Sequence, residues 1–188
     1  MINMEERIER FGLTCTFNGK QFVRGHECVD LGLPSGTLWA KCNLGAKKET
    51  DFGQYFQFGQ FKPYEETFKN YIPMDSDTVD AIWHNGWKTP TKKQFEELIE
   101  NTIGKWTSIN GIKGYKFTSK NNKSKYIFIP AAGYYYNGSL SNVGSNGLVW
   151  SSTPIGSSIA YILFFNSGTE DVSISGRYCG SPVRLVLG

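Results

Sequence analysis

Leu148-Val149-Trp150-Ser151-Ser152, Tyr161-Ile162-Leu163-Phe164-Phe165-Asn166 and Val172-Ser173-Ile174-Ser175 follow one another near the end of the chain. Each is a short run rich in β-branched and aromatic residues, and small or turn-forming residues lie between them, with Gly168 marking a hairpin. That is the signature of successive antiparallel strands. Working outward, Tyr115–Thr118, Tyr126–Ile129 and Pro182–Leu187 read the same way, and Asn121-Asn122 marks a further hairpin turn. Upstream, Thr14–Phe17 and Gln21–Arg24 flank Asn18-Gly19, a strong short-range hairpin signal because a type I′ turn needs positive φ at both central residues. Cys28–Leu33 and Thr37–Ala40 are strands around the turn Pro34-Ser35-Gly36.

Helical periodicity is confined to two places. After Pro90, Thr91 and Gln94 form a capping box, and Phe95, Leu98 and Ile99 make one apolar stripe, predicting a helix over about 92–102. Met4, Ile8 and Phe11, with Glu5-Glu6 in the first turn and Gly12 after the end, predict a short amphipathic helix over 2–11 that must pack on the domain or on a partner chain. Residues 44–80 read as loop with scattered aromatics. The expectation is an α+β fold of short antiparallel strands, one or two helices and long loops.

The chain has 188 residues, which predicts one domain. With 39% hydrophobic and 20% charged residues it is not a disordered chain. No apolar run approaches the ~20 residues that span a bilayer, and the acidic start lacks the apolar segment of a signal peptide. The net charge of +3 gives no footprint for nucleic acid. All 15 lysines lie at or before Lys125, and residues 126–188 carry only Glu170, Asp171, Arg177 and Arg184 as charges. Cys15, Cys28, Cys42 and Cys179 lack zinc-type spacing and read as free, partly buried thiols, while His26 and His84 read as ordinary polar contacts.

Catalytic motifs are missing: there is no nucleophile elbow, phosphate-binding loop, zinc-protease or dinucleotide signature. Asp75, Asp77 and Asp80 lack the Gly and Glu of a calcium loop and read as solvated, as do Glu96-Glu97. The sequence therefore points to a non-enzymatic protein with no cofactor and no metal.

Several ordered motifs carry a family likeness. They are Val29-Asp30-Leu31-Gly32-Leu33-Pro34-Ser35-Gly36-Thr37-Leu38-Trp39-Ala40, Phe52-Gly53-Gln54-Tyr55-Phe56-Gln57-Phe58-Gly59, Trp87-Lys88-Thr89-Pro90-Thr91, Pro130-Ala131-Ala132-Gly133-Tyr134, Trp150-Ser151-Ser152-Thr153 and Pro182-Val183-Arg184. Together they resemble a paralogous domain of gut Bacteroidetes and their phages, with a C-type-lectin fold of the formylglycine-generating-enzyme type, over residues 26–188. Residues 1–25, a helix and a hairpin, would then be an oligomerisation or attachment element. The tail resembles, more narrowly, the variable protein of a diversity-generating retroelement. In such systems adenine-directed mutagenesis scatters Asn codons to many residues but not to Lys, Glu, Gln, Met or Trp. Residues 148–188 contain no Lys, Gln or Met, one Trp and one Glu.

The resemblance implies a hypervariable region of about 148–188. Its ligand-binding positions would be Leu148, Val149, Ile155, Gly156, Ser158, Ile159, Ile162 and Phe164 on the first two runs. On the third run and after it they would be Asp171, Ser173, Ser175, Gly176, Tyr178, Cys179 and Ser181. Trp150 and Arg184 would hold the scaffold, and Glu170 would be scaffold. Strand alternation predicts Val172 and Ile174 inward and Ser173 and Ser175 outward. Exposed Ile155, Ile159, Ile162 and Phe164 would form an apolar interaction patch. The family's calcium and sugar motifs do not occur, so no calcium and no lectin-like sugar chemistry is expected, and Cys179 has no cysteine partner in the tail, so it reads as a diversified position rather than a redox nucleophile.

The expected function is receptor binding, with a protein or glycan on a bacterial surface as partner, from a phage tail tip or a displayed cell protein. No nucleic-acid or membrane-inserting role is expected, and the N-terminal segment could make a homo-oligomer. The rival readings are a formylglycine-generating-type oxidase and a structural adaptor of a tail fibre.

Overall fold

Several of the tightest turns fall where Asn precedes Gly. Asn18-Gly19, Asn110-Gly111 and Asn137-Gly138 all have positive φ at both residues, between 47° and 80°. That is the backbone of a type I′ turn, whose twist matches the strands it joins. In the computed structural model, which describes residues 14–60, 63–64 and 86–188, these turns close three hairpins. They join β1 (Thr14–Phe17) to β2 (Lys20–Val23), β5 (Thr102–Ile109) to β6 (Ile112–Ser119), and β8 (Tyr134–Tyr136) to β9 (Ser139–Ser141).

The remaining elements are β3 (His26–Asp30), β4 (Leu38–Ala40), α1 (Lys92–Asn101), β7 (Tyr126–Pro130), β10 (Gly147–Ile155), β11 (Ile159–Phe165), β12 (Glu170–Gly176) and β13 (Val186–Leu187). They form a five-stranded sheet β1-β2-β3-β4-β13, two three-stranded sheets β5-β6-β7 and β10-β11-β12, and the β8-β9 hairpin. All strand pairings within these sheets are antiparallel.

Two apolar cores flank the central strands. Leu38, Ala40, Trp150, Ile162 and Leu187 belong to one, and Trp39, Val149, Leu163, Phe165 and Val186 to the other. Neighbouring residues of one strand thus feed opposite cores, which is why Ile162-Leu163-Phe164-Phe165 is a continuous apolar run without polar alternation. The second core is closed by α1, whose Phe95 and Leu98 are fully buried. Thr91 caps this helix reciprocally with Gln94: the Gln94 amide donates to Thr91 Oγ1, and the Thr91 amide donates to Gln94 Oε1 at 2.9 Å. Lys92 N also donates to Thr153 Oγ1 at 3.0 Å, fastening the helix to β10. Glu97 is not merely solvated: it accepts from the Ser35 amide and hydroxyl, each at 2.7 Å, and Glu96 pairs with Lys92.

Arg184 ties the layers together. Its side chain is fully buried, and its guanidinium donates to Asn43 Oδ1 and to the carbonyls of Ala40, Lys41 and Phe128 at 2.6–3.1 Å. Burial pulls its pKa down to about 10, so it stays charged at neutral pH. Trp150 is also buried, and its indole N–H donates to the Phe56 carbonyl at 2.7 Å.

The expectation of an α+β, C-type-lectin-like fold is overturned. Among the described residues the protein is mostly β, with 48% strand, 7% helix and one helix, arranged as several small antiparallel sheets. The reason is visible after α1: the chain turns directly into β5 at Thr102 and regains no helical segment before its end. The expected helix over 2–11, the acidic residues 75–80 and His84 lie outside the described residues. Among the described residues, no helix is long and apolar enough to cross a membrane. All four cysteines are free: Cys15 is exposed, Cys42 half-buried, and Cys28 and Cys179 buried.

Candidate functional site

The β10-β11-β12 sheet is covered differently on its two faces. α1 and its core close the face of Val149, Leu163 and Phe165. The other face opens, beside the β8-β9 hairpin, into a cleft of about 430 Å³. Leu148, Ile162 and Phe164 line it from β10 and β11, in the register Leu148↔Phe164 and Ile162↔Ser173. Ser173, Ser175 and Gly176 of β12, with Tyr178 and Cys179 just beyond, form one wall. Tyr134, Tyr136 and Asn146 complete the lining, with Ile174 at the rim.

The tyrosine wall follows from period-2 geometry. Tyr134 and Tyr136 of β8 reach the cleft, while Tyr135 between them stacks on Tyr64 at 4.8 Å and meets Tyr55 edge-on at 5.1 Å. Tyr136 and Tyr178 face each other with ring centroids 5.9 Å apart. Both are nearly half exposed. Gly176 makes room for Tyr178, since a Cβ there would sit 2.5 Å from the ring. Gln57 Nε2 fixes the main chain at this point by donating to the Tyr178 carbonyl at 2.9 Å.

Burial raises the Cys179 pKa against the opposing hydrogen bond from Ser175, which keeps the group a thiol at neutral pH. The neighbouring sulfur in turn raises the Tyr178 hydroxyl. Among the described residues, no Asp, Glu, His, Lys or Arg lines the cleft. Arg177 turns away: its guanidinium lies 4.5 Å over the Phe58 ring and donates to the carbonyls of Gly156 and Ser157 at 3.3 and 3.4 Å.

The expected positions divide into four groups. Leu148, Ile162, Phe164, Ser173, Ser175, Gly176, Tyr178 and Cys179 converge on the cleft. Ile155, Gly156, Ser158 and Ile159 cluster instead at the tip of the β10–β11 hairpin, where Ile155 pairs with Ile159 and Gly156 and Ser158 are exposed. Asp171 is exposed on β12 opposite Phe164, its Oδ1 accepting from the Val172 amide at 2.8 Å. Val149 and Ser181 make up the fourth: Val149 is in the helix-side core, and Ser181 is fully buried with its main chain paired to Phe56.

The exposed apolar patch needs correction. Ile162 is buried in the core that holds Trp150 and Phe58, Phe164 packs on that core, and Ile155 and Ile159 are half-buried where they pair at the hairpin tip. Leu148 and Cys179 are buried in the same core. The alternation on β12 separates its two faces, and Val172 is half-buried against the helix-side core. Ile174, expected inward, is 52% exposed.

Tyr134, Tyr136 and Asn146 were not among the expected positions. The signal for the tyrosines is Tyr134-Tyr135-Tyr136 running into Asn137-Gly138, a strand and its turn.

A family profile described as a domain of unknown function, DUF8237, matches residues 101–186. That span runs from the end of α1 into β13 and contains every residue of the cleft lining. No curated protein matches the chain, and no solved structure does.

Proposed function

We propose that the chain is a non-enzymatic receptor-binding protein, the diversified member of a diversity-generating retroelement, that engages a bacterial-surface receptor through the cleft beside β12. The observation that carries this reading is the convergence of residues separated by more than thirty positions, from Leu148 to Cys179, on one concave surface. Concave, mostly apolar surfaces with a few placed polar groups are the usual form of a binding site. Diversification also needs positions where substitution leaves the fold intact, and half-exposed Ser173, Ser175 and Tyr178 and the hairpin tip at 155–159 provide them. Buried Val149, Ile162 and Ser181 do not, so the diversified set is narrower than the tail as a whole. The raised Cys179 pKa favours a packing role over a redox one.

The test is to sequence the DNA around the gene. The expected result is a reverse transcriptase and a near-copy of the segment encoding the tail, differing at adenines in codons for positions such as Ser173, Ser175 and Tyr178. Absence of both, or differences concentrated at Val149, Leu163 and Ser181, would overturn the reading.

A further inference from the structure

The described residues of the cleft's lining are uncharged, aromatic and rich in hydroxyls, and that combination selects a ligand class. Resting on the reading that this cleft is the receptor site, we propose that its ligand is the end of a neutral saccharide chain, held without a metal ion. A charged ligand would give up hydration here with no countercharge in the lining to replace it. Tyr136 and Tyr178, 46% and 48% exposed with their rings 5.9 Å apart and inclined at 55°, form an aromatic corner at the mouth of the cleft. The face of an aromatic ring carries partial negative charge, so it attracts the C–H face of a pyranose. Ser173, Ser175 and Asn146 supply hydroxyl and amide groups that both donate and accept, as sugar hydroxyls require. The volume of about 430 Å³ fits a small ligand or a chain end rather than a folded surface.

An extended peptide fits less well, because it would have to add to the outer edge of β12. The Arg177 amide donates to the Ser158 carbonyl, so the register turns the main-chain groups of Glu170, Val172, Ile174 and Gly176 outward. That ladder is already broken. The Val172 amide donates to Asp171 Oδ1, and the Gly176 carbonyl accepts from the Cys179 amide at 2.9 Å. Edges interrupted in this way are poor templates for strand addition.

The experiment probes the full chain, in the presence of EDTA, on an array of neutral oligosaccharides, sialylated and sulfated oligosaccharides, and random peptides. The expected result is capture by neutral oligosaccharides only. Tyr178→Ala and Tyr136→Ala should each weaken capture by about tenfold or more with the unfolding midpoint unchanged, and Tyr178→Phe should weaken it less. Capture by acidic sugars or peptides that depends on Tyr178 would overturn the saccharide class while leaving the cleft as the binding site. Neutral-sugar capture that survives both alanine variants would overturn the cleft reading itself. Failure of every neutral oligosaccharide to bind would overturn this inference.

Discussion

Phe164 and Phe165 are adjacent residues of the same type on one strand, yet they belong to different regions of the molecule. Phe165 faces α1, is completely buried, and presses on Gly147 so closely that a Cβ there would lie 1.9 Å from its ring. Phe164 faces the other way, half-buried, and lines the cleft. The same contrast separates Leu163 from Ser173, whereas Val149 and Leu148 are both buried, in opposite cores. The lesson is that residue type does not decide between core and recognition surface here. What decides is whether a helix or solvent covers that face of the sheet.

The contrast can be broken or sharpened by substitution. Phe165→Ala should cost the most, about 3–5 kcal/mol in urea unfolding, because the ring is fully enclosed. Gly147→Ala should cost about 1–3 kcal/mol by overpacking against that ring. Phe164→Ala should cost less, about 1–2 kcal/mol, since the ring packs on the core from one side and is partly solvated on the other. A Phe164→Ala loss as large as that of Phe165→Ala would abolish the distinction between the faces. Ser173→Ala and Tyr178→Ala should change stability by no more than about 0.5 kcal/mol. Receptor binding should respond least of all to pH between about 5.5 and 8, because no carboxylate, imidazole or ammonium lines the cleft among the described residues. A Cys179 thiol raised by burial also stays protonated across that interval. A titration showing a midpoint in this window would place a charged group in the contact.

Much of the local structure was legible in the sequence. The Thr91–Gln94 capping box, the Asn18-Gly19 hairpin and the three C-terminal strands all rest on short-range rules, and each lies where those rules put it. The β5 strand was not legible. Its Thr102–Ile109 follows α1 without a spacer, so the expected end of the helix near Gly104 concealed a change of periodicity. Asn110-Gly111 and Asn137-Gly138 carried the same turn signal as Asn18-Gly19 and would have exposed β5 and β8. The overall α+β expectation failed because periodicity located short elements but missed β5 and β8, and the C-type-lectin part of it came from a family likeness rather than from periodicity. Within the tail, strand alternation separated the two faces of β12 but not their coverage. Ile174 is exposed although it lies on the same face as half-buried Val172. Coverage depends on where α1 ends in space, and no local pattern encodes that.

The most direct measurement is a saturation library over residues 147–181, displayed on cells and sorted for folded protein with a protease-resistance gate. The expected result is broad tolerance at Gly156, Ser158, Asp171, Ser173, Ser175 and Tyr178, and intolerance at Val149, Trp150, Leu163, Phe165 and Ser181. Equal intolerance at Ser173, Ser175 and Tyr178 would contradict the division of this sheet into a face that holds the fold and a face free to change its ligand.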